Sequence, residues 1–242
     1  MGAALAAWGG VVVTLTLYQF DYSPYCAKVR AVLQAKGLRY KTVEVLPFVG
    51  QGRLMELSGQ RRVPVLVDGS RVISDSTQIA YYIDTAYPEV PLIPEGSEGY
   101  RACFIWEDWA DEAFGPAVRS ALLSHARADA GFRQEFLPPL GQARLDVALP
   151  WALPFALPLL QARYGLTSGR QAAMERQLAR QLDFLVGATT GRRYLIGSRL
   201  SLADVSVATM ARWLDAVPAC GGHRYAGFFR WRDAILEQCL LT

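Results

Sequence analysis

Within Tyr22-Ser23-Pro24-Tyr25-Cys26 a hydroxyl and a thiol lie three residues apart. They fall where an apolar run, Thr14-Leu15-Thr16-Leu17-Tyr18, gives way to an amphipathic stretch from Pro24 to about Lys36. A strand that runs into a helix N-terminus gathers free backbone N–H groups and the positive end of the helix dipole at one spot. An anionic ligand group, a thiolate above all, is stabilised there. Ser23-Pro24 also has the form of a plain helix start, with Ser at the N-cap and Pro at N1. Cys26 suits a small buried position on the helix as well as it suits a nucleophile. The residues alone leave these readings side by side.

The elements that must position this turn are legible as periodicity. After the first strand, Val29, Val32 and Leu33 recur at helical spacing and Gly37 ends the helix. Tyr40 to Val45 alternates as a strand, a short helix is expected near Arg53 to Leu57, and Val63 to Val67 reads as a buried strand entered through Pro64. Asp68-Gly69 predicts a hairpin into Arg71-Val72-Ile73. Ser74-Asp75-Ser76 caps a last helix whose apolar face is Ile79, Ala80, Tyr82 and Ile83. The order is βαβ followed by ββα. A right-handed crossover makes the first two strands parallel, and the hairpin adds an antiparallel pair.

Residues 87–97, with Pro88, Pro91, Pro94 and Gly96, read as a linker. Beyond them strand periodicity disappears. Ala102, Trp106, Trp109, Ala113 and Ala117 suggest one face of a long helix, and Met174, Leu178, Leu182 and Leu185 another. Ser201-Leu202-Ala203-Asp204 is a capping-box arrangement, with Leu200 and Val205 as its hydrophobic staple. The expected organisation is an N-terminal extension over 1–13, an α/β domain over 14–86, the linker over 87–97 and an all-α domain over 98–242. The uncharged run 147–160, with Pro150, Pro154 and Pro158, is shorter than an ordinary membrane span. It reads as a distorted core or cleft wall, or else as a surface meeting a membrane, a partner or an apolar substrate.

Composition excludes several classes. Of 25 basic residues only Lys28, Lys36 and Lys41 are lysines, and the net charge of +3 is scattered, which argues against a nucleic-acid partner. Cys26, Cys103, Cys220 and Cys239 are widely spaced, with no metal-ligand pattern, and read as reduced thiols. His125 and His223 are the only histidines and have no partner pattern, so no metal is expected. Met1 to Val13 lacks the basic start of a secretory signal, and residue 6 is Ala rather than Ser or Thr, which gives myristoylation no support.

Four motifs in order, Ser23-Pro24-Tyr25-Cys26, Arg62-Val63-Pro64, Asp75-Ser76 and Ser201-Leu202-Ala203-Asp204, resemble those of the cytosolic glutathione transferase superfamily. The resemblance covers nearly the whole chain from Thr14 onward. Its first half is also similar to prostaglandin E synthase type 2 and the omega-like enzymes, which carry Cys where this chain has Ser23. The resemblance implies a thioredoxin-like α/β domain followed by an all-α domain. It implies glutathione as cosubstrate, a small electrophilic second substrate, a homodimer and a cytoplasmic location. On it, Ser23 hydrogen-bonds the glutathione sulfur, and Val63 before a cis Pro64 pairs with the cysteinyl backbone. Asp75 and Ser76 take the γ-glutamyl end, and Arg62, or Arg53 or Arg61 in its place, takes the glycine carboxylate. A thiol oxidoreductase, deglutathionylase or isomerase working through Cys26 is the first alternative, and a non-catalytic binding module the second.

Overall fold

The computed structural model describes residues 15–46, 50–132, 155, 157–165 and 167–239. The N-terminal extension and most of the run 147–160 lie outside the described residues. Four strands, β1 (Leu15–Gln19), β2 (Tyr40–Glu44), β3 (Val65–Asp68) and β4 (Arg71–Ser74), form one sheet in the order β2-β1-β3-β4. β1 and β2 are parallel, with Leu17 opposite Thr42, and the other two pairings are antiparallel. The period of two sorts the side chains cleanly. Leu15, Leu17 and Leu66 enter the main core with Val29, Leu33, Ile79 and Ile83 from helices α1 (Pro24–Ala35) and α3 (Ser76–Ala86). Tyr18, Val65 and Val67 face the other way and pack with Leu54 of α2 (Gln51–Ser58).

Among the described residues beyond the sheet domain the main elements are helices: α4 (Ser97–Trp109), α5 (Gly115–Ala128), α6 (Ser168–Thr189), α7 (Leu202–Met210) and α8 (Ala226–Gln238). Residues 157–163 are also helical, with Leu157 buried and Leu159 exposed. α7 is buried along its whole length. Its start is the expected capping box, in which Asp204 Oδ2 accepts from Ser201 N at 2.9 Å, while Asp204 Oδ1 reaches out to Leu195 N at 2.7 Å. No helix among the described residues is long and apolar enough to cross a membrane.

The single long helix expected through Ala102 to Ala117 is instead two helices joined by a π turn, Ala110–Phe114. Pro116 supplies the reason. Proline lacks an N–H and crowds the carbonyl four residues earlier, so a regular helix cannot run through it undisturbed. Gly115 completes the junction, because a Cβ there would meet Met210 Sδ of α7 at 2.9 Å and the Ala110 carbonyl at 3.1 Å.

Two lysines act as buried anchors. Lys36 Nζ donates to Asp84 Oδ1 at 2.7 Å and to the Val90 carbonyl at 2.5 Å, while Asp84 also accepts from Leu92 N and Ile93 N, which fixes the path of the connecting segment. Lys28, fully buried on α1, donates at 2.6 Å to both Glu107 Oε1 of α4 and Asp111 Oδ2 of the π turn. Burial alone would pull the Lys28 ammonium down, but Asp111 and Glu107 outweigh it and hold it above its ordinary value. Removing one partner of such a group leaves charge buried and uncompensated. Lys28→Met is therefore expected to lower the unfolding free energy by about 3–5 kcal/mol. Replacing Lys28, Glu107 and Asp111 together by apolar residues should restore most of it, as urea denaturation of the two variants would show.

Candidate active site

The turn after β1 is held from several sides. Ser23 N donates to the Phe20 carbonyl at 2.9 Å, Asp21 N donates to Glu44 Oε1 at 2.8 Å, and Arg30 bonds Gln19 Oε1 at 2.7 Å and pairs with Asp21 at 3.2 Å. Tyr22 packs on Trp213 with ring centroids 5.7 Å apart. Ser23 is the N-cap of α1, with extended backbone, and its Oγ accepts from Cys26 N at 3.4 Å. That bond is long, and in it the oxygen is only an acceptor. The hydroxyl hydrogen, which also reaches the Cys26 thiol, can rotate to donate to a ligand sulfur instead, so capping and chemistry coexist at this residue.

Cys26 differs sharply from Ser23. It is fully buried, its Sγ accepts from Phe20 N at 3.5 Å, and burial pushes its thiol up to about 11 despite the hydrogen bonds from Phe20 and Ser23. A thiol with that pKa is not a thiolate at neutral pH, and a buried sulfur presents nothing to a substrate. The other three cysteines are buried as well.

The Val63–Pro64 bond is cis, with Pro64 buried at the entrance to β3. Arg61 and Arg62 are exposed just before it, and Arg53 lies 5.7 Å from the centre of the Tyr18 ring. Asp75 caps α3 by accepting from Thr77 N at 2.9 Å and Gln78 N at 3.1 Å. Its backbone has φ 76° and ψ 131°, a region that L-residues other than glycine avoid. Strain of this kind concentrates where a side chain or backbone must be presented to a ligand. Ser76 follows, buried, with its Oγ 3.5 Å from Asp111 Oδ2.

Asp111 joins the two distant sequence stretches. Its main-chain carbonyl accepts from the Tyr25 hydroxyl at 3.1 Å, and its carboxylate meets Lys28, Ser76 and Thr77. Thr77 Oγ1 donates to Glu107 Oε1 at 2.6 Å. Residues 25–28 and 75–77 are thus tied together through the helical half. Sequence reasoning missed Lys28, Thr77, Glu107 and Asp111. The available signal was a lysine on an otherwise apolar face of α1 and a pair of carboxylates, Glu107 and Asp111, at i,i+4 spacing, which share a face.

A thioredoxin-like α/β half with a cis proline leading into β3, where Val65 lies opposite Tyr18 of β1, followed by a helical bundle, defines the class of glutathione transferase folds. Residues 17–91 match the family model for the glutathione S-transferase N-terminal domain, and residues 168–234 match that for the C-terminal domain. Together these span more than half of the chain, which belongs to the glutathione transferase superfamily. It is 40% identical to the stringent starvation protein A homolog of Pasteurella multocida over 100 residues, 39% of this chain and 47% of that one. It is 39% identical to glutathione S-transferase Z1 of Arabidopsis thaliana over 83 residues, 33% of this chain and 38% of the relative. The chain thus spans less than half the length of these curated relatives. In structure it is similar to the beta-etherase LigF from Sphingobium sp. strain SYK-6, with a TM-score of 0.70 over 95% of this chain and all of the other, at 23% identity.

Two outcomes follow from this geometry. The Asp111 carboxyl is raised to about 6, first by burial and then by the neighbouring Glu107 charge, against the lowering influence of Lys28. The folded protein therefore holds a proton that the unfolded chain releases, and the associated stability is complete below about pH 4 and lost as pH rises through about 6. As pH rises from about 4 to about 8, the stability difference between Asp111→Asn and the parent should shift in favour of the variant, measured by urea denaturation. At Asp75, substitution by Ala removes the cap and keeps the strain, which should cost about 1 kcal/mol. Asp75→Gly relieves the strain while losing the same cap, so its melting temperature should equal or exceed that of the parent.

Proposed function

We propose that this protein is a glutathione transferase in which Ser23 stabilises the thiolate of bound glutathione. The observation that carries the reading is the contrast at the start of α1: a partly exposed serine hydroxyl able to donate at the helix N-terminus, and a cysteine withdrawn into the core. A hydrogen bond to a charged acceptor contributes about 1.5–3 kcal/mol, and the helix dipole about 0.3–1 kcal/mol. At about 1.4 kcal/mol per pKa unit, the two together lower a thiol by about one to three units, enough to make the thiolate a major species near neutral pH.

On this reading Asp75 and Ser76 receive the γ-glutamyl end, Val63 the cysteinyl backbone, and Arg62 the glycine carboxylate. The exposed Arg62 side chain, the cis Val63–Pro64 bond and the strained backbone of Asp75 support those roles. The bound thiol loses its proton to solvent, and the thiolate adds to an electrophilic carbon. With an aryl chloride the C–S bond forms from the sulfur lone pair, and the C–Cl bond breaks with chloride taking its electron pair. A cytoplasmic homodimer belongs to the same reading. Tyr81 and Tyr100, joined through Phe104 at ring distances of 6.1 Å and 4.7 Å, leave an exposed aromatic patch on α3 and α4 that supports self-association.

Ser23→Ala is expected to raise the pKa of enzyme-bound glutathione by about one unit or more, read from the ultraviolet absorption of the thiolate. Its kcat/KM with 1-chloro-2,4-dinitrobenzene should fall at least about tenfold. Cys26→Ala should leave both quantities within about threefold of the parent, given a side chain that touches neither substrate. Loss of activity in Cys26→Ala with retention in Ser23→Ala would reverse the assignment and favour the thiol-based alternatives.

A further inference from the structure

Arg119 lies on α5 with its guanidinium carbon 4.3 Å from the ring centre of Tyr164 and 5.9 Å from that of Tyr25. Its Nη2 approaches the Tyr25 hydroxyl at 3.5 Å. Tyr25 is two residues past Ser23, so their α-carbons are at most about 7 Å apart. A permanent cation, bracketed by two aromatic rings, thus contacts the side chain of a residue in the same helix turn as Ser23. Among the described residues no carboxylate lies within ion-pair distance of Arg119, whereas Arg30, Arg224 and Arg232 each pair with an aspartate. A guanidinium offers five N–H donors in a planar fork, and the long contact to Tyr25 engages one. The side chain is neither fully exposed nor fully buried, so a charge-assisted bond there is shielded in part from water. The same neighbourhood supplies apolar surface in the Tyr25 and Tyr164 rings.

We propose that Arg119 is the specificity-determining residue of the site and takes a carboxylate carried by the electrophilic substrate. Tyr25 and Tyr164 pack against the apolar or aromatic body of that substrate, and the preferred electrophiles are aromatic carboxylates rather than neutral molecules. A single planar guanidinium matches the charge and bidentate geometry of one carboxylate. The proposal rests on the transferase reading above, with Ser23 holding the attacking sulfur while Arg119 aligns the carbon that is attacked.

The test compares 4-chloro-3,5-dinitrobenzoate with 4-chloro-3,5-dinitrobenzamide, two aryl chlorides of the same shape that differ in charge. Each kcat/KM is divided by the uncatalysed rate with glutathione, which removes the difference in ring activation. The parent protein should favour the benzoate by about tenfold or more. Arg119→Gln should bring the ratio close to one while leaving the amide within about threefold, and Arg119→Lys should keep part of the preference. A ratio near one in the parent, or an equal fall for both substrates in Arg119→Gln, overturns the proposal. If the parent conjugates neither compound, the transferase reading fails on its own, and calorimetric binding of the two chemically prepared glutathione conjugates still decides the role of Arg119. A tenfold preference for the carboxylate conjugate that disappears in Arg119→Gln sustains it, and no preference in the parent refutes it.

Discussion

The buried cluster of Lys28, Glu107 and Asp111 is the constraint around which both halves are arranged. One ammonium with no exposed surface faces two carboxylates at 2.6 Å, one from α4 and one from the π turn. Taking such charges out of water costs several kcal/mol per ion, and good geometry with additional hydrogen bonds is needed to offset it. Thr77 and Ser76 at the start of α3 supply those bonds, so α1, α3, α4 and the π turn must all be in place at once. The cluster thereby fixes the position of the Ser23 turn relative to Asp75 and Ser76, which apolar packing alone would define less sharply. Excess negative charge remains within it, and Asp111 Oδ1 is buried without a hydrogen-bond partner. Burial of the carboxyl group, with the Glu107 charge beside it, is the physical source of the raised Asp111 pKa.

Features that depend on near neighbours along the chain are legible in the sequence. The Ser-Pro helix start, the Asp-Gly hairpin, the Asp75 cap and the capping box at Ser201 are each local, and each falls where its residues predict, within a residue or two at the strand ends. The cis Val63–Pro64 bond, expected from resemblance, is present. What tertiary contact creates is not legible in this way. Lys28 stands out as a lysine on an apolar face of α1, but its partners Glu107 and Asp111 appear only when α4 and the π turn are laid across it. Arg119 looks like one arginine among many until α5 brings it to Tyr25. The unbroken helix expected through Ala102 to Ala117 fails for a local reason, since Gly115-Pro116 is a poor continuation of any regular helix.

Ser23 and Cys26 show how burial divides two residues with similar credentials. Both sit in the first turn of α1 or immediately before it, where the helix dipole favours an anion. The N-cap position keeps the hydroxyl partly open to a ligand, whereas the position three residues later is fully buried, with its sulfur against the Phe20 N–H. Desolvation there exceeds what the Phe20 and Ser23 hydrogen bonds return, and the thiol moves away from ionisation. The motif retains a sulfur, but the environment that would make it reactive belongs to the serine.

The π turn carries a consequence for how this fold diversifies. It holds one residue more than a regular turn, and each residue of a helix advances its side chains by about 100° around the axis. Every residue of α5 is therefore rotated by that step relative to an uninterrupted continuation of α4. The turn works as an indexing gear between a fixed half of the molecule and a variable one. Loss of Glu112 or Ala113 would keep Asp111 on Lys28 of α1, yet it would swing a different side chain of α5 into the place that Arg119 now occupies beside Tyr25. Substrate choice in such a scaffold could change through a one-residue deletion distant from the helix face that meets the substrate, without any substitution on that face.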